Sequence, residues 1–103
     1  MAKSITPGTI RKALWSINDP ELNISIVDLG LVYTISIDAK KQVKVIMTLT
    51  TIGCPLFSLI EQEVRAKIQE LGIPANHIHI DLTFDPPWTV DRMSEAARAM
   101  LGI

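Results

Sequence analysis

The stretch LVYTISIDAKKQVKVIMTLT, residues 31–50, holds two runs of alternating character around a polar break. In the first run Leu31, Tyr33, Ile35 and Ile37 fall on one face, and Val32, Thr34 and Ser36 on the other. In the second, Val43, Val45, Met47 and Leu49 share a face. A period of two is the spacing of a half-buried strand. The break, DAKK at 38–41, is turn material. Together the two runs predict a β-hairpin.

The period changes after the hairpin. Pro55 suits a first helical turn, and Leu56, Leu59, Ile60, Val64, Ile68 and Leu71 recur at helical spacing. Gly72 and Pro74 provide the stop. HIHIDLTF, residues 77–84, alternates again: Ile78, Ile80, Leu82 and Phe84 are expected inside, His77, His79, Asp81 and Thr83 outside. Before the hairpin, Thr6 and Pro7 read as N-cap and first helical residue, with Ile10, Ala13, Leu14 and Ile17 as the apolar stripe. Pro20 disfavours helix at Asp19 and ends that segment. A last short helix follows DPPWT, capped by Thr89 or Ser94, with Gly102 near its end.

The order is therefore α-β-β-α-β-α. Each strand has one apolar and one largely polar face, which predicts an α+β fold, a two-layer α/β sandwich with helices on one face of a three-stranded mixed sheet. The outer face, with Thr34, Ser36, Lys44, Thr48, His79 and Asp81, is expected to be wet or to meet a partner. The length of 103 residues suits one domain, spanning 1–103, that buries roughly two-thirds of its unfolded surface.

Composition narrows the function. A net charge of −1 gives no general attraction for nucleic acid or anionic lipid. No apolar run approaches the ~20 residues that span a bilayer, and MAKSITPG lacks the apolar segment of a secretory signal. A single cysteine makes no internal disulfide, which suits a reducing cytoplasmic setting.

Topology gathers the remaining motifs. A right-handed crossover through the central helix would make strands two and three parallel. The ends of those strands and the start of strand one then share one end of the sheet. That end receives TTIGCP, FDPPW and NDPELNISIVDLG. Cys54 lies at a strand-to-helix joint, where unpaired N–H groups and the helix dipole favour a thiolate. Gly53 permits close approach; Thr50 and Thr51 offer hydroxyls; Asp19, Glu21 and Asp28 supply carboxylates; Pro86, Pro87 and Trp88 could form a stiff apolar wall. Each also has a purely structural use. Cys54 could be a small buried hydrophobe. The acids could cap turns, and the Pro-Pro-Trp run could end strand three and cover a core edge. His77 and His79 belong to the opposite end of the sheet, out of reach of the thiol, which weighs against a Cys-His hydrolase.

DPELNISIVDLGLVY, VIMTLTTIGCPL and LTFDPPWTVDRMSEAAR, taken together, resemble the PaaD/SufT-like metal–sulfur cluster biosynthesis family, long catalogued as a domain of unknown function. The match runs through nearly the whole chain, in order. It implies assembly of iron–sulfur clusters or their delivery to apo-proteins, not enzymatic turnover. The family's reactive cysteine corresponds to Cys54, its acidic turn to Asp19 and Glu21, its DLGLV segment to Asp28–Val32, and its threonines to Thr50 and Thr51. The implied cargo is a transient Fe–S cluster or iron; the implied partners are apo Fe–S clients and other assembly factors. Clusters normally take four protein ligands, mostly thiolates. One chain supplies one thiol and a homodimer two, with carboxylates or other thiols completing the set. The rival reading is a metal-free protein–protein adaptor. An RNA-binding module is disfavoured by the missing G-x-x-G loop and basic excess.

Overall fold

Asp38 closes the hairpin. Its Oδ1 accepts the backbone N–H groups of Lys40 and Gln42, both at 2.9 Å. Its backbone N–H donates to the Gln42 carbonyl at 3.1 Å, and Lys41 turns the chain with φ +61°. The flanking strands are β1 (Val32–Ile37) and β2 (Val43–Met47). The computed structural model describes residues 5–19, 22–49 and 55–102. Around the hairpin stand α1 (Pro7–Leu14), α2 (Pro55–Glu70), β3 (Ile78–Leu82) and α3 (Glu95–Leu101). Among the described residues the sheet order is β1-β2-β3, with β1 antiparallel and β3 parallel to β2. The α+β order and the mixed sheet expected from the sequence are both present.

Thr6 caps α1 by accepting the Thr9 N–H at 3.1 Å, while Thr9 Oγ1 accepts the Thr6 N–H at 2.8 Å. Ile10 and Leu14 are buried between α2 and the sheet. The helix stops at Leu14, earlier than the apolar spacing suggested. Ile17 is still buried, but in extended chain: its carbonyl accepts the Ile26 N–H, and Asn18 bridges to Ser25. The segment from Ile24 to Leu31 thus reaches the core without forming a named strand, burying Ile24, Ile26, Leu29 and Leu31.

Ile60, Val64 and Ile68 form the buried stripe of α2. Leu59, expected there, is 54% exposed. It lies one residue, a 100° turn, from Ile60, and Phe57 packs against the core instead. Gly72 at φ +102° turns the chain out of α2. His77 belongs to a short 3-10 turn, not to β3. β3 ends at Leu82, so Phe84, expected inside, is 38% exposed. Ser94, not Thr89, caps α3, accepting the Ala97 N–H at 3.1 Å.

Two further corrections fall at one end of the sheet. Val32 pairs with Met47, but the next pair is Thr34 with Ile46. Tyr33 is therefore the extra residue of a β-bulge. Val32 shares the core face with Ile35 and Ile37, and Tyr33, expected there, does not. Thr48, expected on the wet face, is fully buried. Its N–H continues the ladder to the Leu31 carbonyl at 2.8 Å. With Met47, Thr48 and Leu49 all buried in succession, both faces are covered here.

Candidate functional site

The register Val32–Met47–Leu82 puts the start of β1 and the ends of β2 and β3 side by side. One further bond, Thr83 N–H to the Met47 carbonyl at 2.8 Å, carries the parallel ladder past Leu82. The chain leaving β2 passes through residues 50–54 to Pro55, the first residue of α2. Thr50, Thr51, Gly53 and Cys54 lie outside the described residues, as does Glu21. The other candidates can be placed.

A strap of residues 83–94 is tied to the segment 28–33 by side chains and backbone alike. Thr83 Oγ1 accepts the Asp85 N–H at 3.2 Å and turns the chain. The Asp85–Pro86 peptide is cis. The Pro86 carbonyl accepts the Tyr33 hydroxyl at 2.8 Å. The Trp88 indole N–H donates to the Leu29 carbonyl at 2.6 Å, and its half-buried ring packs on the core. The Arg92 guanidinium stands 4.4 Å from the Tyr33 ring centroid, a cation–π distance. The Ser94 N–H reaches the Asp28 carbonyl at 2.7 Å. Gly30, at φ +76°, lies so close to the Arg92 backbone that a Cβ would collide with its carbonyl oxygen. The sequence motifs around VDLGLVY and FDPPWTVDR are thus one spatial unit. Pro86 and Pro87 are exposed on it.

The carboxylates have defined duties. Asp19 is 4% exposed. Its Oδ1 accepts the Leu22 N–H at 3.1 Å, and its backbone bonds Ile24 and Asn23, the latter at φ +56°. These bonds tie Asp19 to residues 22–24, next to the antiparallel bridge of Asn18 with Ser25. Asp28 Oδ2 accepts the Trp15 indole N–H at 3.0 Å, linking the DLG segment to the end of α1. Among the described residues, no three His, Cys, Asp or Glu side chains gather closely enough to hold a metal ion.

The histidines stand at the other end of the sheet. His79 pairs with Lys44 near the start of β2, and its Nε2 lies 2.8 Å from Gln42 Oε1. His77 Nδ1 lies 3.3 Å from the Lys41 carbonyl. Three strand positions, roughly 10 Å, separate His79 from Leu82. Tyr33, Arg92 and Trp15 were not among the expected site residues. The one signal was the adjacent apolar triplet Leu31, Val32 and Tyr33, where strict alternation already falters.

The mixed three-stranded sheet, with the start of β1 and the ends of β2 and β3 at one end, defines a small α+β domain, and comparison with known proteins gives its family. The model of a family described as iron–sulfur cluster assembly protein matches residues 8–77. The Fe-S protein maturation auxiliary factor YitW of Bacillus subtilis is 42% identical over 95 residues, 91% of each chain. The Fe-S protein maturation auxiliary factor SufT of Staphylococcus aureus is 40% identical over 85 residues, 82% of this chain and 96% of that one. Among solved structures, a domain of unknown function from Bacillus anthracis superimposes with a TM-score of 0.86 at 36% identity, covering 94% of this chain and 92% of that one. A conserved hypothetical protein from Thermotoga maritima gives 0.83 at 42% identity over 100% of both chains. The chain belongs to the iron–sulfur cluster assembly protein family.

Proposed function

We propose that this protein is an auxiliary factor in the maturation of iron–sulfur proteins, acting without catalytic turnover, with Cys54 as the thiolate that transiently holds iron or a cluster before an apo-protein takes it. The reading is supported by the register that brings the start of β1 and the ends of β2 and β3 together. Cys54 stands in the chain immediately before Pro55, the first residue of α2. A thiol at the start of a helix is biased toward its anionic, ligating form. Thr50 and Thr51 hydrogen-bond the cargo, Asp19, Glu21 and Asp28 shape the pocket or lend oxygens, Gly53 allows close approach, and the Pro86, Pro87 and Trp88 run walls it. Four ligands normally hold a cluster. Two copies of this chain supply two thiolates, and the remainder come from carboxylates, small thiols or the client, so few bonds must break on hand-over.

Anaerobic reconstitution with iron and sulfide, applied to wild type and Cys54→Ala and followed by absorption, Mössbauer spectroscopy and solution mass, tests this. The expected result is a cluster in the wild type, about one per dimer, that is lost in the variant. No cluster in either folded protein overturns the carrier role. The second reading, a metal-free adaptor for other assembly factors, draws on the exposed Trp15 and Met100. It requires Cys54→Ala to support client maturation fully in a deletion strain.

A further inference from the structure

Helix α1 has two unlike sides. Ile10 and Leu14 are buried, while Arg11, Lys12 and Trp15 are exposed. Trp15 is 55% exposed, although packing alone would tend to bury so large an apolar ring. It is not loose. Its only hydrogen-bonding group donates to Asp28 Oδ2 at 3.0 Å, which fixes the indole and leaves its faces for apolar contact. Trp15 lines two clefts. One, of about 410 Å³, is lined by Trp15, Val27, Arg11 and Lys12 among others. The other, of about 420 Å³, has Trp15 and Met100 of α3 on its walls. Met100 is 68% exposed and the neighbouring Leu101 39%.

A held tryptophan that lines two clefts has the make-up of a binding hot spot. Its charge selects the partner. α1, PGTIRKAL, contains no acidic residue, so Arg11 and Lys12 meet no i,i+4 carboxylate on their own helix. The ion pairs among the described residues, Lys44–Asp81 and Arg65–Glu61, do not engage them. The first cleft is locally basic, with Arg11 and Lys12 and, among the described residues, no acidic residue on its walls, in a chain whose net charge is −1, whereas the charged residue on the wall of the second is Asp28. Two cations are too few to hold a nucleic acid or a lipid surface by charge, but they suit one or two carboxylates beside an apolar anchor.

We infer that this face docks a segment of a partner protein that carries a bulky apolar side chain flanked by acidic residues. The apolar side chain enters the cleft walled by Trp15 and Val27, and the carboxylates meet Arg11 and Lys12 on the rim of that same cleft, where no acidic residue stands among the described residues. The inference needs no thiol and stands apart from the fate of Cys54.

Two fluorescein-labelled peptides test it on the full-length protein: one with leucine and phenylalanine anchors flanked by glutamates, the other with lysines in place of the glutamates. Anisotropy is expected to show saturable binding of the glutamate peptide only, weakening as salt rises. Trp15→Ala should weaken it roughly tenfold or more, while Met100→Ala, on the wall of the other cleft, should leave it within about twofold. The double variant Arg11→Glu, Lys12→Glu should transfer the preference to the lysine peptide, with circular dichroism unchanged. Equal affinity for both peptides, or indifference to Trp15→Ala, overturns the inference. So does light scattering that shows a dimer converted to monomer by Trp15→Ala, since a second copy would then own the face, or binding confined to anionic phosphatidylserine vesicles.

Discussion

At Gly30 the backbone takes φ +76°, and a Cβ would meet the carbonyl oxygen of Arg92. Gly30→Ala therefore combines a left-handed penalty with a backbone collision. Urea unfolding is expected to show a loss of roughly 2–4 kcal/mol. Gly102 has a similar φ of +73° but open space around it, so Gly102→Ala should cost only the first component, about 1 kcal/mol. Tyr33→Phe removes the hydroxyl that holds the Pro86 carbonyl but keeps the ring beneath Arg92. Equilibrium unfolding should register about 1 kcal/mol or less, because that carbonyl can turn to water. Tyr33 was not legible in the alternation, since a single inserted residue inverts the parity of everything on its far side. Asp19 was legible as a turn residue, because the proline after it demanded a break; its burial was not.

Among the elements, α2 separates pattern from packing. Ile68 is fully buried and Leu59 is 54% exposed, although both belong to the helical stripe read from the sequence. Ile68→Ala should cost 2–5 kcal/mol by loss of burial plus the cavity left behind, within a range of roughly that size. Leu59→Ala should stay within about 0.5 kcal/mol. Thermal or chemical unfolding of the two variants side by side checks the contrast. The stripe was readable because Ile60, Val64 and Ile68 are four residues apart and only one helix face can hold them. Its margin was not, because a 100° step decides between core and water and depends on what lies opposite. The end of α1 failed for a related reason: Ile17 keeps helical spacing, yet its burial is achieved by an extended chain bonded to Ile26.

For the whole molecule, β2 is the axis. It is the strand paired on both sides, and Val43, Val45 and Met47 are completely buried. Native-state hydrogen exchange should find the slowest amides within Val43–Met47, near the global unfolding free energy, and far faster ones in α3, a seven-residue helix with Ala97 as its buried side chain. Opening of α3 before the sheet would appear as exchange in that helix without loss of protection in β2. The topology was legible because a helix between two strands of one sheet nearly forces them parallel, and this alone brought the start of β1 and the ends of β2 and β3 to one end. The clamp between residues 28–33 and 83–94 was not, since it rests on backbone carbonyls of Leu29 and Pro86 that carry no sequence signature.

The bulge at Tyr33 has a second consequence. β1 is an outer strand, and a straight outer strand offers its unpaired amides as a template on which another chain can add and seed a fibril. The extra residue breaks that row and increases the local twist, so incoming strands lose register almost at once. The other border is guarded by brevity: β3 has five residues, with Pro74 before it and Pro86 and Pro87 after it. Both borders of the sheet thus carry a feature that hinders self-templated deposition.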